Sequence, residues 1–332
     1  MKLLNISYMD LPVQCIEQEL AQFREALEVE LRTQVPLADN VIHYFLDRRG
    51  KQLRPILTLL TAKMIAGQVS EASIQGAVSV ELLHNASLMH DDVIDKSDER
   101  RGASTINHVW DNRVAVLMGD FFFARCLMCS NRIGSPAILQ ALCDMTSLLT
   151  EGELEQISNA RSHLLSEKAY FSVITGKTAS LFSACLRIGA LSVGATEQQV
   201  QQLGEVGIKI GQIFQIRDDI FDYFPSTASV GKPTGHDIME GKVTLPLLYA
   251  LLNGPADESA RMRDLIMVNR DLSAEEVETL VNYAKQMGGI EYAQARMKNI
   301  AFEAKQMLQN FPSNDSRAAL MNLVDFFIDR NG

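Results

Sequence analysis

Apolar residues recur at helical spacing along most of the chain. Between positions 78 and 93 they occupy one side of a predicted helix, at Val78, Leu82, Leu83, Ala86, Met89 and Val93. Proline is absent from Ile56 to Ser135 and from Ala137 to Phe224, and these stretches are too long to be ordinary strands. The pattern predicts an all-α protein.

Helix boundaries are visible as capping signals. Thr196 with Gln199 and Ser273 with Glu276 each match the capping box, in which two side chains bond each other's backbone at a helix start. The tripeptide Asn253-Gly254-Pro255 combines a flexible residue with one that lacks a backbone donor, so we expect a helix to end there.

The chain reads as one domain over residues 1–332. The segment Val200–Tyr223 has apolar residues around most of its circumference, which is typical of a helix enclosed by others in a large bundle. After Gly254 the chain becomes more amphipathic and more charged. We therefore expect the unusual motifs to lie within residues 43–250 and outer helices to occupy residues 256–330.

Composition narrows the class of protein. A hydrophobic share of 47% with 22% charged residues is typical of a folded globular chain. The net charge is −10 and no run of Lys and Arg occurs, so nucleic acid is not an expected partner. The five cysteines lack paired spacing and the chain start lacks a signal-peptide pattern, which favours the cytoplasm. The segment nearest to a membrane span, 169–195, is interrupted by Lys177 and Arg187, so we predict no transmembrane helix.

Two clusters of aspartates stand out against this background. The first, Asp91-Asp92-Val93-Ile94-Asp95, follows an uncharged helical run, and the second, Asp218-Asp219-Ile220-Phe221-Asp222, repeats its spacing 127 residues later. One such cluster alone would be read as a solvated helix end. Two clusters that face one cavity would bring six carboxylates together, and Mg²⁺, which takes oxygen ligands and phosphate, is the natural partner.

Cationic residues accompany the clusters along the sequence. Arg100 and Arg101 follow the first cluster, Lys51 and Arg54 precede it, and Lys177 and Lys232 lie further along. Arg matches phosphate oxygens with a planar fork, and Lys provides a point charge. Acids and bases together indicate a site for metal ions and phosphate.

The combination of motifs resembles the trans-polyprenyl diphosphate synthase family, and more closely its medium- and long-chain, octaprenyl-type members. The matching segments are Gly50-Lys51-Gln52-Leu53-Arg54-Pro55, the two aspartate motifs, Arg100-Arg101-Gly102, Glu151-Gly152-Glu153-Leu154-Glu155, Gly176-Lys177-Thr178-Ala179, Phe214-Gln215-Ile216-Arg217 and the stretch from Gly231-Lys232 to Gly241-Lys242. The resemblance implies an all-α isoprenoid synthase fold around a central apolar cavity, in a homodimer. It departs at Arg49-Gly50-Lys51-Gln52, where the family usually has Gly-Gly-Lys-Arg.

The resemblance also implies a reaction, in which an allylic diphosphate ionises with the help of Mg²⁺ and isopentenyl diphosphate attacks the cation. It implies three Mg²⁺ ions, with Asp91, Asp95 and Asp218 as principal ligands and Asp92, Asp219 and Asp222 assisting. Isopentenyl diphosphate would be held by Lys51, Arg54, His84 and Arg101. The allylic diphosphate would be supported by Arg100, Lys177 and Lys232, and Thr178 and Gln215 would steady the cation. His84 precedes Asp91 by two helical turns, so geometry also puts it on nearly the same face.

Product length is expected to depend on the residues before the first aspartate motif. The growing hydrocarbon would pass Leu83, Ala86 and Ser87, and in this family bulky aromatics four or five positions before the motif stop elongation early. Here those positions hold Ser87 and Ala86, so we expect a product longer than farnesyl. Phe121, Phe122 and Phe123 either close the tunnel deeper or form ordinary core packing.

The same residues are compatible with other functions and metal sites, some of which the sequence disfavours. A short-chain synthase and a non-catalytic regulatory subunit share the fold, although intact aspartates disfavour the second. A terpene cyclase would share the first motif but not a second aspartate-rich one. Glu81 and His84 match half of a di-iron motif without a second copy, and Cys126 and Cys129 lack the partners of a zinc site.

Overall fold

The computed structural model describes residues 13–329 except 49, 101, 163, 225–233 and 269–271. A 3₁₀ turn, Gln14–Ile16, precedes the helices α1 (Glu17–Glu30), α2 (Pro36–Leu46), α3 (Leu53–Ala66), α4 (Glu71–Ile94), α5 (Ile106–Val109), α6 (Asn112–Ile133), α7 (Pro136–Ser162), α8 (Glu167–Ile174), α9 (Ser180–Leu191), α10 (Glu197–Phe221), α11 (His236–Met239), α12 (Leu245–Asn253), α13 (Ala256–Val268), α14 (Ala274–Gln286), α15 (Gly289–Leu308) and α16 (Asp315–Asp329). A π-helical turn, Thr175–Ala179, joins α8 to α9. Among the described residues the strands are one short antiparallel pair, β1 (Glu99–Arg100) and β2 (Ala103–Ser104). The predicted all-α class is confirmed.

The predicted helix starts and the predicted break are confirmed. The Thr196 and Gln199 side chains cap α10 reciprocally, and Ser273 and Glu276 cap α14 in the same way. The helix α12 ends at Asn253 and α13 begins at Ala256, on either side of the predicted break. A further reciprocal cap, between Ser70 and Ser73, starts α4.

The helices α3, α9 and α10 form the centre of the molecule, where glycines allow backbones to approach closely. A side chain at Gly189 of α9 would meet the Thr58 carbonyl oxygen of α3 at 2.4 Å. A side chain at Gly207 of α10 would meet the Ser183 Cα atom at 2.5 Å. Real Cβ atoms do not approach other atoms so closely, so these helices cross at distances that larger residues would not permit.

The C-terminal helices are only partly the outer layer that the sequence predicts. The helix α14 is amphipathic and buries one face, as expected. The last helix, α16, instead reaches the centre, where the ring of Phe327 packs edge-on against Phe214 of α10 and Phe182 of α9. The amphipathic pattern of residues 256–330 therefore does not show that α16 is part of the central core.

Among the described helices, α6 is long and apolar enough to cross a membrane by length and composition. Only 39% of its most apolar 18-residue stretch is buried, and Leu117 and Met128 are among its exposed residues. One such helix is weak evidence for a membrane span, because helices that pack against other protein surfaces have the same composition. The feature is better described as an exposed apolar face on α6.

We expect Gly207→Ala to lower the free energy of unfolding by about 1–3 kcal/mol, because the added methyl group overpacks the crossing of α9 and α10. Helix propensity alone would predict a gain of roughly 0.5–1 kcal/mol for this change. Urea unfolding followed by circular dichroism measures the difference. Glu205→Ala, an exposed change on the same helix, is the control and should be nearly neutral; equal stability of the two variants would contradict the close crossing.

Candidate active site

The first aspartate motif lies at the C-terminal end of α4, and its three side chains have different surroundings. Asp92 is buried and accepts a hydrogen bond of 2.7 Å from the Nε atom of Arg100, in β1. Asp91 is half-buried, and Asp95 is exposed and caps the helix. In the described part of the chain, the side chains of Asp91 and Asp95 accept no such hydrogen bond. These two carboxylates are thus the ones left to face solvent and ligand.

The second motif lies at the C-terminal end of α10 and is tied to the protein more closely. Asp219 is buried and accepts hydrogen bonds from the Tyr170 hydroxyl, at 2.6 Å, and from the Gln215 amide nitrogen, at 2.8 Å. Both carboxylate oxygens of Asp222 accept backbone N–H groups at the start of α11, from His236 and Asp237. Asp218 is half-buried.

The surroundings of the two motifs disfavour negative charge. Burial, followed by the charge of Glu153, raises the pKa of Asp91 to about 6, although Lys177 and Arg100 oppose this change. Burial and the charge of Asp237 raise the pKa of Asp219 to about 7, against the hydrogen bonds that it accepts. A bound cation would relieve this unfavourable charge, because it stabilises the ionised carboxylates.

Lys177 comes from the π-helical turn and is fixed by a close contact with α7. Its ammonium nitrogen lies 2.7 Å from a Glu153 carboxylate oxygen. Two glycines let the backbones of the turn and of α7 touch. A Cβ atom at Gly152 would lie only 2.5 Å from the backbone nitrogen of Lys177, and one at Gly176 only 2.8 Å from the backbone oxygen of Leu148. The turn thereby brings a cation and a further carboxylate close enough to Asp91 for both charges to act on it.

Lys242 connects the two motifs electrostatically. Its ammonium group pairs with Glu240 at 2.5 Å and lies 3.9 Å from Asp237. Burial lowers the pKa of Lys242, but the hydrogen bond to Glu240 and the charges of Glu240 and Asp237 raise it overall, with a smaller contribution from Asp95 in the first motif. The charge of Asp237 in turn raises the pKa of Asp219 and Asp222. The ends of α4 and α10 therefore belong to one electrostatic site.

A cavity of about 170 Å³ lies beside this site. Its polar lining comes from Lys177, Thr178, Gln215, Asp219 and Lys242, and its apolar lining includes Val173, Ile174 and Leu248. The Thr178 hydroxyl donates to the Gln215 amide oxygen at 2.7 Å. The three residues predicted to act in catalysis, Lys177, Thr178 and Gln215, are thus brought together on one wall.

A second, more apolar cavity of about 500 Å³ lies between α4, α6 and α7. Leu83, Phe123 and Cys126 are among its lining residues. Of the residues predicted to control chain length, Leu83 lines this cavity, Ala86 is buried and Ser87 is half-buried, with its hydroxyl donating to the His84 carbonyl oxygen. Of the aromatic triplet, Phe123 lines the cavity and Phe121 and Phe122 do not. Phe122 lies in the core, where its ring packs edge-on against Phe45.

The upstream basic motif is held at the start of α3. Gln52, where the family usually has Arg, adopts a left-handed backbone conformation with φ of 53° and accepts a hydrogen bond from Arg24. Lys51 and Arg54 are half-buried on either side of it, and His84 is buried on α4. The other two predicted substrate-binding residues, Arg101 and Lys232, lie outside the described residues.

The donor set at the motifs fits Mg²⁺, with substrate needed to complete it. The described residues contain no group of three or more acids, cysteines or histidines close enough to hold a metal by themselves. Asp92, Asp219 and Asp222 accept hydrogen bonds from protein donors, and the prediction that six carboxylates meet at one cation site stays a prediction. Mg²⁺ usually binds through one or two carboxylates together with substrate phosphates and water, which agrees with this arrangement.

The two cysteines considered for a zinc site lie in the interior of the protein. Cys126 and Cys129 are buried and all five cysteines are unpaired. Burial raises the pKa of Cys126 to about 12, so this thiol does not ionise readily to a metal ligand.

Four residues of the site were not assigned roles by sequence reasoning: Glu153, Tyr170, Asp237 and Lys242. The signals for Glu153 and Lys242 were present, since both lie in segments that match the family. Tyr170 lies two helical turns before Lys177, a spacing that could have drawn attention to it as it did for His84. Spacing does not predict that Asp237 comes close enough to the second motif for its charge to act on Asp219 and its backbone N–H to reach Asp222.

Comparisons with known proteins agree with these features. The sequence profile of the polyprenyl synthetase family matches residues 35–284. Octaprenyl diphosphate synthase from Haemophilus influenzae is 34% identical over 95% of this chain and 95% of its own length. Heptaprenyl diphosphate synthase component 2 from Geobacillus stearothermophilus is 36% identical over 93% and 95% of the two chains.

The fold is also that of a solved structure. The polyprenyl synthase from Caulobacter crescentus CB15, complexed with calcium and isoprenyl diphosphate, superposes with a TM-score of 0.88 at 32% identity. The match covers 97% of this chain and 98% of that one. The similarity therefore extends well beyond the motifs.

We expect Glu153→Gln to lower the pKa of Asp91 from about 6, because it removes the negative neighbour with the largest effect on that group. Lys177→Met should raise the pKa of Asp91, because it removes the opposing cation. Carboxyl ¹³C shifts of labelled aspartate, followed by NMR titration in metal-free buffer, measure both changes. Glu151→Gln, an exposed neighbour on α7, is the control; equal shifts in all three variants would contradict the described geometry.

Proposed function

The chain belongs to the polyprenyl synthetase family and is a prenyltransferase with the all-α isoprenoid synthase fold, and on this premise we propose its reaction. We propose that it condenses isopentenyl diphosphate with an allylic diphosphate, by magnesium-assisted ionisation, to an all-trans polyprenyl diphosphate of medium or long chain. The observation that carries the proposal is the cavity that Lys177, Thr178 and Gln215 line together with Asp219 of the second aspartate motif.

The six aspartates divide into two groups with different roles. Asp91, Asp95 and Asp218 would hold three Mg²⁺ ions together with the diphosphate of the allylic substrate. Asp92, Asp219 and Asp222 are bonded to protein donors and would keep the ends of α4 and α10 in place. Bound Mg²⁺ would neutralise charge that develops on the leaving diphosphate. The calcium in the related Caulobacter structure supports a divalent cation here.

The protein's own residues position the substrates and protect the cation. Arg100, Lys177 and Lys232 would bind the allylic diphosphate, and Lys51, Arg54, His84 and Arg101 would bind isopentenyl diphosphate. The oxygens of Thr178 and Gln215 would lie beside the carbon that becomes positive as the carbon–oxygen bond breaks. The apolar lining excludes water, and the departing diphosphate accepts the proton lost after the new carbon–carbon bond forms.

The product is proposed to extend into the cavity of about 500 Å³ between α4, α6 and α7. The small residues Ala86 and Ser87 leave the way to this cavity open, whereas aromatic side chains there would obstruct it. Two relatives are named as octaprenyl and heptaprenyl synthases, which supports a medium or long chain. A short-chain product, farnesyl or geranylgeranyl diphosphate, is the alternative outcome of a product assay.

The chain is proposed to act as a homodimer in the cytoplasm. The exposed apolar face of α6, with Leu117, Leu127 and Met128, would be covered by a second copy. All five cysteines are unpaired, as expected of a reducing compartment. One relative is named as a component, so assembly with a different chain is the alternative, in which the purified protein alone would be inactive or would serve as a regulatory subunit.

The test is incubation of the purified protein with isopentenyl diphosphate, Mg²⁺ and a series of allylic primers. Elongated prenyl diphosphates should appear, and a metal chelator should abolish their formation. Asp91→Asn should lower kcat by roughly 10²–10³-fold, the range found when a group that stabilises transition-state charge is removed. Asp98→Asn, an exposed aspartate near the same loop, is the control and should retain activity.

Two other results would replace the proposal. A cyclic hydrocarbon product would indicate a cyclase. Absence of turnover with every primer, together with intact folding, would indicate a non-catalytic subunit. Full activity in chelator would contradict the metal assignment directly.

We expect Ser87→Phe to shorten the product without changing substrate affinity, because the ring would block the path of the hydrocarbon. Leu83→Ala should have the opposite effect, because it removes a side chain that lines the cavity. Chromatography of dephosphorylated products measures the carbon number. An unchanged length distribution in both variants would rule out this path for the growing chain.

A further inference from the structure

Tyr170 on α8 is a buried residue of the site to which the proposed reaction gives no role. Its ring borders the cavity, and its hydroxyl donates to the Oδ2 atom of Asp219 at 2.6 Å. The phenol hydroxyl is the donor in this contact, because a tyrosine keeps its proton at neutral pH and an aspartate oxygen accepts. The contact joins α8 to α10 across 49 positions of sequence.

Asp219 is the centre of a chain of hydrogen bonds. Its Oδ1 atom accepts from the Gln215 amide nitrogen at 2.8 Å, while its Oδ2 atom accepts from Tyr170. The carboxylate is only 3% exposed. An aspartate with both oxygens engaged and almost no contact with solvent is suited to orienting its neighbours.

The orientation of Gln215 follows from this arrangement. Because Asp219 accepts from the amide nitrogen, the amide oxygen is directed to the other side, where it accepts from the Thr178 hydroxyl at 2.7 Å. If the Asp219 carboxylate turned, the Gln215 amide could flip and present its N–H donors to the cavity. Donors carry partial positive charge and would repel a developing cation, whereas oxygens attract it.

We propose that Tyr170 is a positioning residue, which fixes the Asp219 carboxylate and through it the oxygens of Gln215 and Thr178 at the cavity wall. The inference rests on the proposed function, since it concerns the step in which positive charge develops. It also assigns Asp219 to the orientation of Gln215 and not to the binding of Mg²⁺.

Tyr170→Phe removes one oxygen atom and tests the proposal. With isopentenyl diphosphate and farnesyl diphosphate, kcat should fall roughly 10- to 100-fold, the effect of losing a hydrogen bond to a charged group. KM for both substrates and the Mg²⁺ concentration for half-maximal rate should change by less than about threefold, because neither depends on the amide orientation. Tyr283→Phe, which removes the hydroxyl of another buried tyrosine that does not line the cavity, is the matched control and should retain wild-type kcat.

A double-variant comparison separates positioning through Gln215 from a general structural effect. In a Gln215→Ala background, Tyr170→Phe should lower kcat by less than about threefold, because the amide it orients is gone. If the loss of kcat in the double variant equalled the product of the losses in the two single variants, the proposal would be overturned. A Tyr170→Phe variant that is folded and has wild-type kcat would also overturn it.

The metal requirement gives a second, independent measurement, which also serves if Tyr170→Phe does not fold. Asp219→Asn should leave the half-maximal Mg²⁺ concentration within about threefold of wild type, whereas Asp218→Asn should raise it at least tenfold. A large increase for Asp219→Asn would overturn the assignment of this residue. If wild-type protein forms no elongated product, the proposed function itself fails, and that result is distinct from a failure of the variants in an active enzyme.

Discussion

Carboxylates beside an apolar cavity are the constraint on which this structure depends. The buried ones, Asp92 and Asp219, lose hydration when the helices pack, and carboxylates close to one another repel. The protein meets the constraint with fixed donors for Asp92, Asp219 and Asp222, and with the cations Lys177, Lys242 and Arg100 close to the motifs. Asp91 and Asp219 still carry an unfavourable charge, since the pKa of each is raised, and a divalent cation bound together with a diphosphate would relieve it.

The positions of these charges depend on how closely the helices approach. Gly152 and Gly176 let the π-helical turn touch the backbone of α7, and Gly207 lets α9 cross α10 closely. Backbone contact of this kind fixes a helix more firmly than contact through long side chains, which can change rotamer. Lys177 and Thr178 are therefore held rigidly at the cavity wall, although they lie in a short π-helical turn.

Much of the fold and part of the site could be predicted from the sequence. Periodicity and capping patterns located α10, α14 and the break before α13, and the repeated aspartate spacing located both halves of the site. Spacing could not show which carboxylates are engaged by protein donors, because those of Asp219 and Asp222 come from Tyr170 on α8 and from the backbone at the start of α11. The central position of Phe327 was also hidden, since an amphipathic helix has the same pattern whether its apolar face meets the periphery or the centre of a bundle.

The π-helical turn has a consequence for the length of the chain. A π-helical turn holds one residue more than an α-helical turn for about the same rotation, so α8 and α9 keep their relative orientation although the chain carries an extra residue between them. Loss of that residue would let a regular helix run through with Phe182 and Gly189 on the same face. Loss of a residue from the regular part of α8 would instead rotate both by about 100°, so gaps should be tolerated within the turn more readily than in α8 or α9.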